Sequence, residues 1–434
     1  MTTSANRTLF RNRLSRRRAI IGLTGLGLGG LVKMAMPDEG MDRSVGCCSG
    51  PLLESRTKMY DAYVTGLNQL GLDLFHKLSP KNLFLSPTSV GLALAMTEQG
   101  ARGETRAQMR NILHMPTANE SDVSGWRGII DSLRAEKPGR QVRLANRLFG
   151  QKNYGFVADY TALLEKGFDA PLEEVDYEGD PEKARTRINL WVLEQTRNLI
   201  RDLVPVGALT PLTRLVLVNA IHFKGDWLSP FEKDSSRPAP FETGGGNSIT
   251  VDRMNKVGRF VIRSTPEAES VELPCKGNDR SVHFILPKKR HTLASVEKQL
   301  TLAHWNTLLF SDSQFDQVAL GLPKFKLEST EILNTALKGL GMSDAFGDQA
   351  NFSGMNGGKE ALRIDTVIHK SVLVVDEKGA EAAAATAIMM RATSAPNPMK
   401  PKVFLVDQPF LVAITDKTTK GILFLGRVVK PQSK

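Results

Sequence analysis

Residues 377–390 read Glu-Lys-Gly-Ala-Glu-Ala-Ala-Ala-Ala-Thr-Ala-Ile-Met-Met, and this stretch fits two incompatible structures. Its alanines are the best helix formers. Read with a period of two, it is also a strand. One face would carry Ala380, Ala382, Ala384, Thr386, Ile388 and Met390, because alternate side chains of a strand point to opposite sides. That small-residue face could slide between the strands of a packed sheet. Gly379 precedes it, where the backbone is free to hinge. Beyond it, Arg391, Ala392, Thr393 and Ser394 lead into Ala395-Pro396-Asn397-Pro398, whose prolines oppose both helix and central strand. Composition alone favours a surface helix followed by a loop.

The segments that follow favour the strand. Val403–Val406, Asp407–Ile414 and Gly421–Val428 read as β-strands joined by a Thr/Lys turn. Upstream, several short motifs recur in order. They are Asn82-Leu83-Phe84-Leu85-Ser86-Pro87-Thr88-Ser89, Asn219-Ala220-Ile221-His222-Phe223-Lys224-Gly225-Asp226-Trp227 with Phe231 after it, and Glu272-Leu273-Pro274 through Gly277-Asn278 to Phe284-Ile285-Leu286-Pro287. Pro323-Lys324-Phe325, Gly341-Met342 with Ala345-Phe346, Phe352-Ser353-Gly354-Met355 and His369-Lys370 complete the set. Each is weak alone. In this order and at these spacings the chain resembles the serpins, bacterial-type exported members included, over nearly everything after residue 55.

The resemblance implies an α+β fold: one large domain over residues 55–434, with three β-sheets, eight or nine helices and an exposed reactive-centre loop at 377–401. It implies an inhibitor of serine or cysteine proteases that acts as a suicide substrate. The protease cuts the loop, stays attached as a covalent acyl complex, and is dragged away as the loop enters the central sheet. Fully extended, residues 380–392 would span roughly 43 Å. The resemblance assigns Glu377, Gly379, Ala380, Ala382 and Ala384 to the hinge, and Trp227 and Lys324 to the breach where the loop first enters, with Lys324 paired to Glu377. Ser86, Ser89, Asn219 and His369 match the shutter, a polar cluster under the sheet centre. Counting sixteen positions from Glu377 puts the reactive bond at Thr393–Ser394. Arg391–Ala392 is the rival, and Met389 or Met390 a further one. No bulky, charged or proline residue stands on the inserting face as far as Ala384. This fits insertion better than a non-inhibitory serpin-fold binding or chaperone-like role, which stays the alternative. A cofactor is not implied, and a monomer is expected.

The formal charge of +11 is concentrated at the start. Residues 1–36 hold Arg7, Arg11, Arg13, Arg16, Arg17, Arg18 and Lys33 without a single acid, leaving +4 for the rest. The apolar, glycine-rich run Ala19–Val32 is too short to span a membrane. The layout is that of an export signal, and Ser15-Arg16-Arg17-Arg18 resembles a twin-arginine one. The expected organisation is signal 1–36, linker 37–54, domain 55–434, with the protein exported to the periplasm or the medium. Cys47 faintly resembles a lipoprotein anchor, but Ser44 and its distance from the apolar run argue against lipidation.

Other chemistry lacks support. Gly25-Leu26-Gly27-Leu28-Gly29-Gly30 matches a dinucleotide pattern, yet no strand precedes it and no acid follows at the right distance. The cysteines are Cys47, Cys48 and Cys275, without C-x-x-C, so neither zinc nor redox chemistry is indicated, and Cys275 reads as a lone thiol. No H-E-x-x-H, G-x-S-x-G or phosphate loop occurs, so catalytic residues are not assigned. Basic residues are dispersed and aromatics make up only 6%, which points away from nucleic acid. A polyanion site like that of heparin-binding serpins finds no dense basic helix.

Overall fold

A computed structural model describes residues 50–115, 122–135, 139–313, 315–380 and 400–432. Ser49–Lys434 forms one unit without an internal boundary. In chain order it runs α1 (Gly50–Lys77), β1 (Leu83–Leu85), α2 (Pro87–Gly100), α3 (Gly103–Ile112), α4 (Asp122–Arg134), β2 (Arg140–Gln151), α5 (Ala158–Phe168), β3 (Glu173–Val175), α6 (Pro181–Gln195) and β4 (Leu215–Asp226). It continues with β5 (Arg237–Glu242), β6 (Ser248–Ser264), β7 (Ala268–Pro274), β8 (Arg280–Pro287), α7 (Leu293–Lys298), α8 (Leu302–Phe310), β9 (Phe315–Pro323), β10 (Phe325–Ile332), α9 (Asn334–Gly339) and α10 (Ser353–Asn356). The last strands are β11 (Thr366–Val375), β12 (Gly379–Ala380), β13 (Lys402–Leu405), β14 (Phe410–Asp416) and β15 (Ile422–Val428).

Fifteen strands form two ladders among the described residues: a six-stranded sheet in the order β10-β11-β12-β4-β2-β3, and a nine-stranded one in the order β1-β15-β14-β8-β7-β6-β9-β13, with β5 also on β6. The third sheet expected is not separate. The 17-residue β6 pairs with β5 and β9 over most of its length and with β7 at its end, so two expected sheets share one strand. Ten α-helices occur among the described residues rather than eight or nine. Three of them, α7, α9 and α10, have six, six and four residues, too short for a helical period to show in sequence. The boundary expected at residue 55 falls inside α1.

The helix that matters most for the site is α2. Ser86 caps it by accepting a hydrogen bond from the Ser89 N–H, and Pro87 opens the first turn, where a missing N–H costs nothing. The helix is buried along almost its whole length and holds Ser86 and Ser89 beneath the six-stranded sheet. On the opposite face, Ile188, Trp191 and Val192 of α6 share a cluster with Val218, Ala220, Ile368 and Val372. The α6 helix itself packs on β2, with Trp191 edge-on to Phe149, and the chain after it reaches the β4–β11 joint, where Lys370 Nζ donates to Arg201 O at 2.8 Å.

Candidate functional site

β4 and β11 run parallel and pair directly from Thr366↔Val216 to Val372↔His222. Beyond that ladder the strands part, and β12 fills the gap. Ala380 pairs antiparallel with Val375 on one side and Gly225 on the other. The turn that brings it there is Asp376-Glu377-Lys378-Gly379. The Asp376 N–H donates to Gly379 O (3.0 Å), and Asp376 Oδ1 accepts from the N–H groups of Lys378 (3.0 Å) and Gly379 (3.3 Å). An Asp at the first position and a Gly at the fourth suit such a turn. Gly379 is required by contact. A Cβ there would lie 2.3 Å from Gly225 O and 2.6 Å from Asp226 Cα.

This corrects the sequence expectation in one respect. The loop expected at 377–401 was to stay exposed until cut. Instead Glu377 is buried and Ala380 is fully enclosed in the main core. Burial of the Ala380 methyl and hydrogen bonds to both neighbours hold these residues in the uncut chain. Lys402 already belongs to β13. Ala382, Ala384, Arg391, Ala392, Thr393 and Ser394 lie outside the described residues, as do Met389, Met390, Cys47, Cys48 and the N-terminal segment.

The expected breach residues come together around the turn. Trp227 is 1% exposed, and its Nε1–H donates to Asp376 O at 2.9 Å. Its backbone N–H donates to Lys378 O (2.9 Å), and the Phe231 N–H to Glu377 O (2.8 Å). Lys324 Nζ sits 3.1 Å from Glu377 Oε1, and Ser236 Oγ donates to the same oxygen at 2.8 Å. Burial raises the Glu377 pKa, but its backbone bond, Ser236 and Lys324 outweigh it and leave the carboxyl below its usual range. Above this ion pair lies an open cavity of about 490 Å³ bordered by Lys233, Arg237, Lys324 and Lys378.

The four shutter residues also meet. The Ser86 N–H donates to His369 Nε2 at 3.1 Å, so the imidazole proton sits on Nδ1 and is given to Asn219 Oδ1. Asn219 Nδ2 donates to Ser89 Oγ (2.6 Å) and Asn146 Oδ1 (2.7 Å). Burial pushes the His369 pKa down to about 3, and the Ser86 donor leaves no acceptor for a second ring proton. His369 and Asn219 stand opposite each other across the β4–β11 joint. Their bond therefore locks the two strands that a further strand would have to separate.

Sequence reasoning missed Asp376, Asn146 and Ser236. Asp376 had a local signal in Asp-x-x-Gly. Asn146 and Ser236 had none, since each reaches its partners only through tertiary contacts.

The site as a whole is a mixed sheet with the start of the chain's own loop wedged between two parallel strands. The chain belongs to the serpin family: residues 65–431 match its model, described as Serpin (serine protease inhibitor). It is 35% identical over 372 residues to an uncharacterized serpin-like protein of Thermococcus kodakarensis, covering 85% of this chain and 86% of that one. It is 38% identical over 375 residues to the leukocyte elastase inhibitor of Bos taurus, covering 84% and 98%. Among solved structures it resembles Serpin48 of Tenebrio molitor, described as a highly specific serpin (TM-score 0.76, 31% identity, 86% and 98% covered). It also resembles uncleaved ovalbumin (TM-score 0.76, 26% identity, 85% and 100% covered). None of the described helices is long and apolar enough to cross a membrane.

Proposed function

We propose that the protein inhibits serine or cysteine proteases as a suicide substrate, trapping them in a covalent acyl complex as its cut loop enters the six-stranded sheet. The observation that carries this reading is β12. Its register, continued along the loop, is self-consistent. Six residues beyond Ala380 is Thr386; six back from Gly225 is Asn219; six back from Val375 is His369. Thr386 would thus meet both halves of the shutter bond with a hydroxyl, which can replace what is broken. The same count ends the groove near residue 390, opposite Leu215. The reactive bond is then best placed at Thr393–Ser394 or Arg391–Ala392, beyond the inserted strand, and less well at Met389 or Met390.

The relatives support the class of target: the leukocyte elastase inhibitor is named for a serine protease. Residues 1–36 act as an export signal in this reading and 37–49 as a linker into α1. The protein works as a monomer. The test is a panel of trypsin-, chymotrypsin-, elastase- and papain-like proteases incubated with the full chain and run on a denaturing gel. A band near the summed masses with at least one enzyme is expected. Cleavage of the chain by every enzyme with no such band would leave only a non-inhibitory binding role. Mass spectrometry of the released C-terminal peptide identifies the bond.

A further inference from the structure

Behind Trp227, on the side away from the hinge, lies a cavity of about 530 Å³. It is bounded by six separate stretches: Trp227–Ser229 after β4, the end of β6, the end of β7, Asn278 in the turn before β8, the chain from the end of α8 to the start of β9, and Lys417 after β14. Its floor is apolar, with Phe260 and Leu273 buried. Its rim holds two side chains that water should not favour: Leu228 is 54% and Phe315 58% exposed. Arg259 stands over the Phe315 ring at 5.6 Å and has no carboxylate partner among the described residues. The acidic side chain deeper in the cavity is already satisfied. Glu272 receives Arg263 at 3.0 Å, Lys417 at 3.5 Å and the Ser281 hydroxyl at 2.7 Å. With Arg263 and Lys417 engaged by Glu272, Asp312 on the rim is the other acid lining the cavity, and it makes no ion pair with Arg259.

We propose that this cavity is a binding site for a small amphipathic anion, an aromatic or long aliphatic carboxylate or sulfonate. Its apolar body would cover Leu228, Phe260 and Phe315, and its head would pair with Arg259. Burying such a body is favourable at roughly 25 cal/mol per Å², and a few convergent polar groups on an apolar wall are what small-ligand sites show. The site also touches the hinge. Leu228 N–H donates to Pro274 O at 2.8 Å, and its neighbour Trp227 holds Asp376 and Lys378 through two bonds. An occupant fixing Leu228 against Phe315 would restrain the segment that anchors the hinge turn. This second consequence rests on the inhibitory reading; binding itself does not.

The experiment titrates the uncut full chain with 8-anilino-1-naphthalenesulfonate and with N-phenyl-1-naphthylamine, which has the same body without the charge. One saturable equivalent of the sulfonate is expected to bind, at least fivefold tighter than the amine. Arg259→Gln should weaken the sulfonate at least fivefold and the amine less than twofold. Val261→Trp, which fills the cavity, should weaken both at least tenfold. Ser313→Trp, on the exposed rim, gives the same reading if Val261→Trp unfolds. Binding unchanged by either tryptophan, or a sulfonate no tighter than the amine, would overturn the proposal. Loss of protease trapping in the panel above, with binding intact, would count only against the inhibitory reading.

Discussion

Ala380 is the residue on which most depends. Its methyl is enclosed between β4 and β11 in the uncut protein, and the inserting strand would begin from the same place. Arginine there must either bury a permanent charge or push β12 out of the sheet. Ala380→Arg should therefore raise the number of inhibitor molecules consumed per protease from near one to several, because the acyl bond hydrolyses before insertion completes. Lys378→Arg, in the turn outside the strand, should change that ratio less than twofold. An unchanged ratio for Ala380→Arg would mean that the face assigned to the inserting strand is wrong. The ion pair beside it is smaller in scale. Removing the charge in Glu377→Gln should cost about 1–3 kcal/mol by urea unfolding, the range for a hydrogen bond to a charged, mostly buried group. A loss under about 0.3 kcal/mol would show that Lys324 and Ser236 do not hold the turn. The buried histidines set the acid response. The folded chain would protonate His369 only near pH 3, and His222 and His283 near pH 4, burial being the leading cause in each. The unfolded chain binds those protons near pH 6.5. Between these values the unfolded state holds more protons, so stability is complete above about pH 6.5 and is lost as pH falls. Each histidine contributes up to about 1.4 kcal/mol per pH unit. The urea midpoint should drop steadily from pH 7 to pH 4.5; a flat or rising midpoint would contradict the neutral shutter.

At the scale of elements, the β11–turn–β12 hairpin decides how the loop begins. Read alone, Glu377–Met390 fitted helix and strand alike, and only the segments after it favoured the strand, of which Gly379–Ala380 is described as β12; the Asp-x-x-Gly turn was there to be read. That the strand is already seated was not legible. Seating depends on the gap between β4 and β11, whose paired residues, such as Val216 and Thr366, lie 150 positions apart. Gly379 shows the same limit. In sequence it reads as a flexible hinge, whereas its packing shows a close approach to the backbone of Gly225 and Asp226. Gly379→Ala should force β12 from the sheet, and the uncut protein should lose about 1–3 kcal/mol, the usual cost of overpacking a tight contact. It should also trap protease less efficiently, since the inserted strand must pass the same contact. Hydrogen exchange at Ala380 gives the readout: rapid exchange in the variant and protection in the parent are expected, and equal protection would show that the backbone yields without cost. The polar cluster was legible as four residues, because Ser86, Ser89, Asn219 and His369 sit in recognisable segments. Its fifth member, Asn146, stood in an unmarked strand.

For the whole molecule, the order of short motifs carried the fold, and the mixed α/β architecture follows it from Asn82 to the final strands. What sequence did not carry is assembly between distant segments. The shared β6, which merges two expected sheets, and the cavity behind Trp227, built from six stretches, arise only when the chain is folded. Five strands surround a sixth, β12, that holds only Gly379 and Ala380, so in the proposed mechanism the uncut state has an unfinished sheet. The chain after α6 reaches the joint and His369–Asn219 bridges it, so under the proposed mechanism completion waits for the loop to be released. The measurement that tests this most directly is thermal unfolding before and after a single cut within residues 390–398. Cutting should raise the unfolding midpoint well above that of the uncut chain, with Ala382, Ala384 and Thr386 gaining protection from hydrogen exchange as they pair with β4 and β11. A midpoint unchanged or lowered by the cut, with those residues still exchanging freely, would contradict the account.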